Sequence, residues 1–160
     1  MERLTDGTLD LGLLRPPVHH RDLDVEVLRS EPLIAVLPES HRLAAADAVP
    51  LGELANDPFV TYPSHFRSVL HDAVEDACAA HGFKPLAAHE VAETATLVSF
   101  VAAGLGVSLV PASVGNMNVR GAIYRPLADD ATRVELAVAW RRDDDRPVLA
   151  RALEVVRAAS

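Results

Sequence analysis

An α/β fold follows from three features of this 160-residue sequence. Short apolar runs, most of them ended by proline, alternate with stretches of helical periodicity. Ser68 to His81 carries its apolar residues on one helical face and is followed by Gly82, where a left-handed residue closes a helix. Thr94 to Ser113 then reads as a helix that turns at Gly104 directly into an apolar strand.

Taken in order, Met1 to Asp6 has room only for the tail of a helix. Leu9 to Leu14 is an apolar run entered from Asp6-Gly7 and stopped by Arg15-Pro16-Pro17, which predicts a buried strand. Val25 to Arg29 and Leu33 to Leu37 flank Glu31-Pro32 and predict two strands, the second ended by Pro38. Ser40 to Asp57 is alanine-rich and predicts a loop with one helical turn around Pro50 to Leu54. Phe59 to Tyr62 is a further strand, ended by Pro63.

In the helix of Ser68 to His81, Val69, Leu70, Ala73, Val74, Ala77 and Cys78 share one face, so Cys78 is expected to be buried and inert. Leu86 to Val91 and Ala122 to Leu127 predict strands, with Leu97, Val98, Val101 and Ala102 forming a helical stripe between them. Val107 to Val110 is β-branched and leucine-rich, as buried strands are, and Pro111 breaks it. Val134 to Trp140 alternates like a strand. Pro147 opens a last helix whose Leu149, Ala152, Leu153 and Val156 must cover an apolar surface.

Charge excludes one class of partner. Fifteen basic against twenty-three acidic residues give a net charge of −8, which repels a phosphate backbone. Arg141-Arg142 is followed at once by three aspartates and reads as a solvated strand exit. A single cysteine rules out an internal disulfide and suits a reducing compartment, so the cytoplasm is expected. No run approaches the roughly eighteen apolar residues of a membrane helix.

The catalytic and metal signatures are missing. None of the seven histidines pairs with another at ligand spacing on a helix, and His19-His20 reads as exposed loop. No GxSxG, P-loop or GxGxxG occurs; the acidic groups Glu90/Glu93 and Asp72/Glu75/Asp76 read as solvated faces. No cofactor, metal or catalytic residue is therefore expected. A binding pocket is the remaining reading, because ligands of α/β sheets sit beyond strand carboxyl ends, where helix N-termini offer free amides to anions. Arg15 ends one strand and has the fork a carboxylate fits, with a surface ion pair as an equally good reading. Tyr62-Pro63-Ser64-His65-Phe66 joins a strand to a helix, and Thr94 stands at a helix start, where an N-cap role and a double role in cap and ligand contact are equally good readings.

The order of LTDGTLDLGLL at 4–14, EPLIAVLPESH at 31–41, FVTYP at 59–63, VAAGLGVSLVPAS at 101–113, and RPL followed by LAVAWRRDD at 125–144 resembles the effector-binding domain of LysR-type transcriptional regulators. That resemblance implies a type 2 periplasmic-binding-protein-like fold, one complete lobe plus part of a second. Residues 25–127 would be the complete lobe. Residues 1–24 and 128–160 would be the C-terminal part of the other, whose opening strand, helix and strand are not in this sequence, nor is a helix-turn-helix domain. The sequence therefore reads as a truncated fold, and its uncovered edge would favour association with another copy.

The same resemblance places Arg15, Ser64, His65, Phe66 and Thr94 near an inter-lobe cleft, with Tyr62 and Val107 as flanking wall. It implies a small organic acid, aliphatic or aromatic, as effector, no catalysis, homo-oligomers, and DNA contact only through the absent N-terminal domain. A transport-type solute-binding protein of the same architecture, and an enzyme on a related two-lobe fold, are the competing readings. The first would need an export signal. The second would need a nucleophile–base pair.

Overall fold

The computed structural model describes residues 1–64, 68–129 and 132–159. Its elements are α1 (Glu2–Thr5), β1 (Leu11–Leu14), β2 (Leu23–Pro38), β3 (Pro58–Thr61), α2 (Val69–Ala80), β4 (Leu86–Glu90), α3 (Thr94–Ala102), β5 (Ser108–Pro111), β6 (Ala122–Pro126), β7 (Arg133–Arg141) and α4 (Pro147–Ala158), with 3-10 turns at Leu51–Leu54 and Ala112–Asn116. The chain divides into two units, residues 1–30 with 135–160, and residues 31–134.

In the first unit β1 pairs antiparallel with β7, Leu11 opposite Trp140 and Leu14 opposite Ala137, and β7 lies between β1 and β2. Successive strand residues face opposite sides, so neighbouring residues of β7 serve different cores. Ala139 packs with Leu4 and Leu23. Val138 packs with Leu149 and Leu153 of α4, against Leu11, Leu28 and Trp140. The strand predicted as fully buried is thus an edge strand, with Leu13 58% exposed.

The arginines read as a solvated exit are structural. Arg141 donates Nη1 to the carbonyls of Leu4 and Leu9, each at 3.1 Å, and Arg142 donates Nε to Asp24 at 2.9 Å. Each arginine thereby ties the end of β7 to chain far from it in sequence.

In the second unit β2 runs on, pairing antiparallel with β5 (Leu33 opposite Pro111) and with β6 (Ile34 opposite Pro126). The two strands expected on either side of Glu31-Pro32 are therefore one strand of 16 residues. A proline removes only its own N–H from a ladder, and Pro32 lies outside the stretches of β2 that pair with β5 and β6.

β3 and β4 pair in parallel. Val107 joins β3 to the start of β5: its N–H donates to Pro58 O at 2.8 Å and its carbonyl accepts from Val60 N at 2.9 Å. Gly106 precedes it at φ +151°, with no room for a Cβ beside the Pro58 carbonyl.

Alternation splits these strands between two cores. Leu33, Ala35, Leu37, Phe59 and Leu109 meet Val74, Ala77 and Cys78 of α2, while Val36, Val60 and Val110 meet Leu97, Val98 and Val101 of α3. Both faces are covered, and that is why these strands are nearly continuous apolar runs in the sequence. Cys78 is buried, as its place on the helix stripe predicts.

Candidate functional site

The parallel pair β3 and β4 ends at Thr61 and Glu90, and each strand leads into a helix whose N-terminus stands at that end. Val91 N donates to Thr61 O at 2.8 Å, holding the two exits together. This is the strand edge at which α/β sheets take ligands.

On the β3 side, Tyr62 and Pro63 are buried and Ser64 is exposed. Ser68 caps α2, its Oγ accepting from His71 N at 3.4 Å. The His71 Nδ1 lies 2.9 Å from Tyr62 O, and since a carbonyl only accepts, Nδ1 carries the proton. His71 was missed in the sequence because its partner lies nine residues back across a turn; its place in the first turn of a helix is the only local signal. His65 and Phe66 lie outside the described residues.

On the β4 side, the N-cap of α3 is Glu93, whose side chain makes no capping bond; Thr94 is the first helical residue rather than the expected cap. A threonine that does not cap has its hydroxyl free for another partner. Thr94 Oγ1 lies 3.2 Å from the Tyr62 hydroxyl. Tyr62 is only 3% exposed, its ring packed with Val60, Leu97, Val98 and Val101. Leu97 N bonds Glu93 O, so the amides of Thr94, Ala95 and Thr96 lie ahead of the first intrahelical bond of α3. The edge therefore offers backbone donors and two linked hydroxyls, which suits an oxygen-rich anion. Against it stand the exposed carboxylates of Glu90 and Glu93, and Asp72 in the first turn of α2.

One expected site residue of the second unit lies elsewhere in it. Val107 is 1% exposed, packed in the core against Phe59 and away from the Tyr62–Thr94 pair. Arg15, just past the end of β1 in the first unit, donates Nη1 to Glu135 O at 3.1 Å.

A cavity of about 370 Å³ opens at the other end of β3, lined by Pro38, His41, Arg42, Asp57, Gly106 and Val107 among others. Its polar groups serve one another: Arg42 Nη1 donates to Asp57 at 3.0 Å, His41 Nε2 lies 3.3 Å from the same carboxylate, and Arg42 Nη2 donates to Glu53 O. Such a closed set fixes the loop after β2 and leaves little for a ligand. Among the described residues no cluster of three or more histidine, cysteine or acidic side chains is placed to hold a metal ion, and no helix is long and apolar enough to cross a membrane.

Comparison with known proteins gives a consistent picture. A family model described as LysR substrate binding domain matches residues 1–160. The HTH-type transcriptional regulator YnfL of Escherichia coli, itself uncharacterised, is 34% identical over 148 residues, covering 92% of this chain and 50% of that protein. The HTH-type transcriptional regulator CatR of Pseudomonas putida is 31% identical, covering 98% of this chain and 54% of its own. The chain thus spans about half the length of these relatives. Among solved structures, the effector-binding domain of BenM with its effector benzoate superposes with a TM-score of 0.82 at 28% identity, covering 99% of this chain and 72% of that one.

Proposed function

The chain belongs to the LysR substrate-binding domain family, and on that premise we propose that it is the ligand-sensing part of a transcriptional regulator, binding a small carboxylate at the edge where β3 and β4 end. The observation that carries this reading is the convergence of two helix N-termini on that edge with the Tyr62 and Thr94 hydroxyls 3.2 Å apart. Amides at a helix start carry a partial positive charge, and an anion there is worth roughly 0.3–1 kcal/mol per helix before specific hydrogen bonds are counted.

An aromatic or aliphatic acid is the chemistry that fits. The BenM domain's benzoate supports that class by analogy. Ser64, His65 and Phe66, in the turn between β3 and α2, are proposed as further contacts, with Arg15 as a separate carboxylate contact tested by its own substitution. The sequence leads one to expect residues 25–127 as the complete effector-binding lobe and residues 1–24 with 128–160 as part of the second; that division is proposed with its boundaries moved to 31–134 and to 1–30 with 135–160, where the chain divides into units.

No chemistry is performed on the effector. Binding acts by differential affinity: whichever conformation of the longer regulator holds the acid better is populated in proportion, and DNA contact changes through a domain outside this chain. The regulator would work in the cytoplasm as a homo-oligomer.

Thermal melting in the presence of benzoate, butanoate and related acids tests the reading. A ligand of the native state adds about 2.7 kcal/mol at a hundred times its Kd, so one acid should raise the melting temperature in a saturable way and be recovered unchanged. Melting curves that no acid displaces would overturn it.

A further inference from the structure

His71 has one structural task at the end of β3: its Nδ1–H donates to Tyr62 O across 2.9 Å. An asparagine in the first turn of α2 could make that bond with its side-chain amide. The imidazole brings a second nitrogen. Nε2 has no hydrogen-bond partner among the described residues, and it is not sealed from solvent.

The neutral and charged forms of this ring differ only at that atom. With the Nδ1 proton held by the carbonyl, neutral His71 presents a lone pair at Nε2, which repels a carboxylate. Protonation makes the same atom a donor and breaks no existing bond. The surroundings favour that form. Among the described residues, 61–64, 68–72 and 90–97 form the edge and include no lysine or arginine; the charged side chains there are Asp72 beside His71, Glu90 at the end of β4 and Glu93 ahead of α3, with Glu75 one turn along α2. Arg67 lies outside the described residues. The counter-charge that a bound carboxylate calls for is therefore one that His71 can supply. We propose that His71 is an effector-binding residue that acts as a cation: its Nε2–H donates to the carboxylate, and each acid bound takes a proton from solvent with it. The inference rests on the function proposed above and deepens it.

Titration calorimetry with benzoate and butanoate between pH 6 and pH 8 tests it, in two buffers of different ionisation heat that carry no carboxylate or phosphate. The acids stay ionised over this range, and histidine is the side chain that changes charge within it. The wild-type chain should bind about five- to twentyfold more tightly at pH 6 than at pH 8, and take up about half a proton or more per acid near pH 7. His71→Asn keeps a donor for Tyr62 O and should bind with one affinity across the range, close to the wild-type value at pH 8. Melting curves of both chains at each pH separate binding from folding.

A wild-type affinity that is the same at pH 6 and pH 8, or a pH dependence that survives in His71→Asn, would overturn the inference while leaving the proposed function standing. A wild-type chain that binds no acid of the panel overturns both.

Discussion

Asp144 accepts a hydrogen bond from Arg141 across 3.0 Å, and its side chain is 2% exposed. The same carboxylate takes Nε of Arg146 at 2.7 Å and its backbone N–H at 3.2 Å. Arg141 in turn holds the carbonyls of Leu4 and Leu9, so one aspartate organises both the entry to β1 and the start of α4.

These contacts make acid sensitivity predictable. The Arg146 hydrogen bond above all, with the charges of Arg146 and Arg141 behind it, lowers the Asp144 carboxyl to about 2 from 3.8. A folded value below the unfolded one means the stabilisation is complete above about pH 4 and fades as pH falls toward 2. Asp144→Asn should lower the urea midpoint near neutrality, and the gap to wild type should close as pH falls from about 4 to about 2. A gap of constant size would show that the carboxylate's charge does not matter.

Two glycines of one turn should respond differently to alanine. Gly104 has φ +80° with open space around its missing Cβ, so Gly104→Ala carries only backbone strain, about 1–2 kcal/mol. At Gly106 the strain is joined by collision with the Pro58 carbonyl, a backbone atom that cannot yield without disturbing the Val107 bridge. Gly106→Ala should therefore cost clearly more than Gly104→Ala in chemical denaturation, and equal costs would contradict the packing described.

Burial of Cys78 between α2 and the sheet shields its thiol. In the native protein it should react with a thiol reagent only through unfolding, at a rate that rises with urea. Cys78→Ser, which buries a hydroxyl among Phe59, Val74 and Leu109, should destabilise by about 1–3 kcal/mol.

The acidic residues at the β4 exit oppose an anionic ligand. Glu93 is exposed and makes no capping bond, so Glu93→Gln removes a like charge without removing a helix cap. Carboxylate affinity should rise about two- to fourfold at low salt, and the gain should vanish near 1 M salt, where screening acts within about 3 Å. An unchanged affinity would place the ligand away from Glu93.

Elements whose apolar pattern is local were legible in the sequence. The helix expected over 68–81 is α2 at Val69–Ala80, and the helix–turn–strand from Thr94 is α3 and β5 with Gly104 at φ +80°. What failed was information held in distant partners. Pro32 reads as a break only while the neighbours that carry β2 past it are unknown. Arg141 and Arg142 read as solvated because Leu4, Leu9 and Asp24, which they hold, lie over a hundred residues away. At the candidate site, Tyr62 and Thr94 are visible as residues near strand and helix ends; that they touch, and that His71 grips the Tyr62 carbonyl, depends on the parallel pairing of β3 with β4.

The order in which the chain is made bears on its two units. Residues 31–134 are one uninterrupted stretch and can close on themselves as they emerge, whereas the other unit needs both of its ends. Among the described residues β1 pairs with β7, a pairing that can form only once residues 133–141 have been made. Slowing translation would lengthen the interval between the making of β1 and the making of β7.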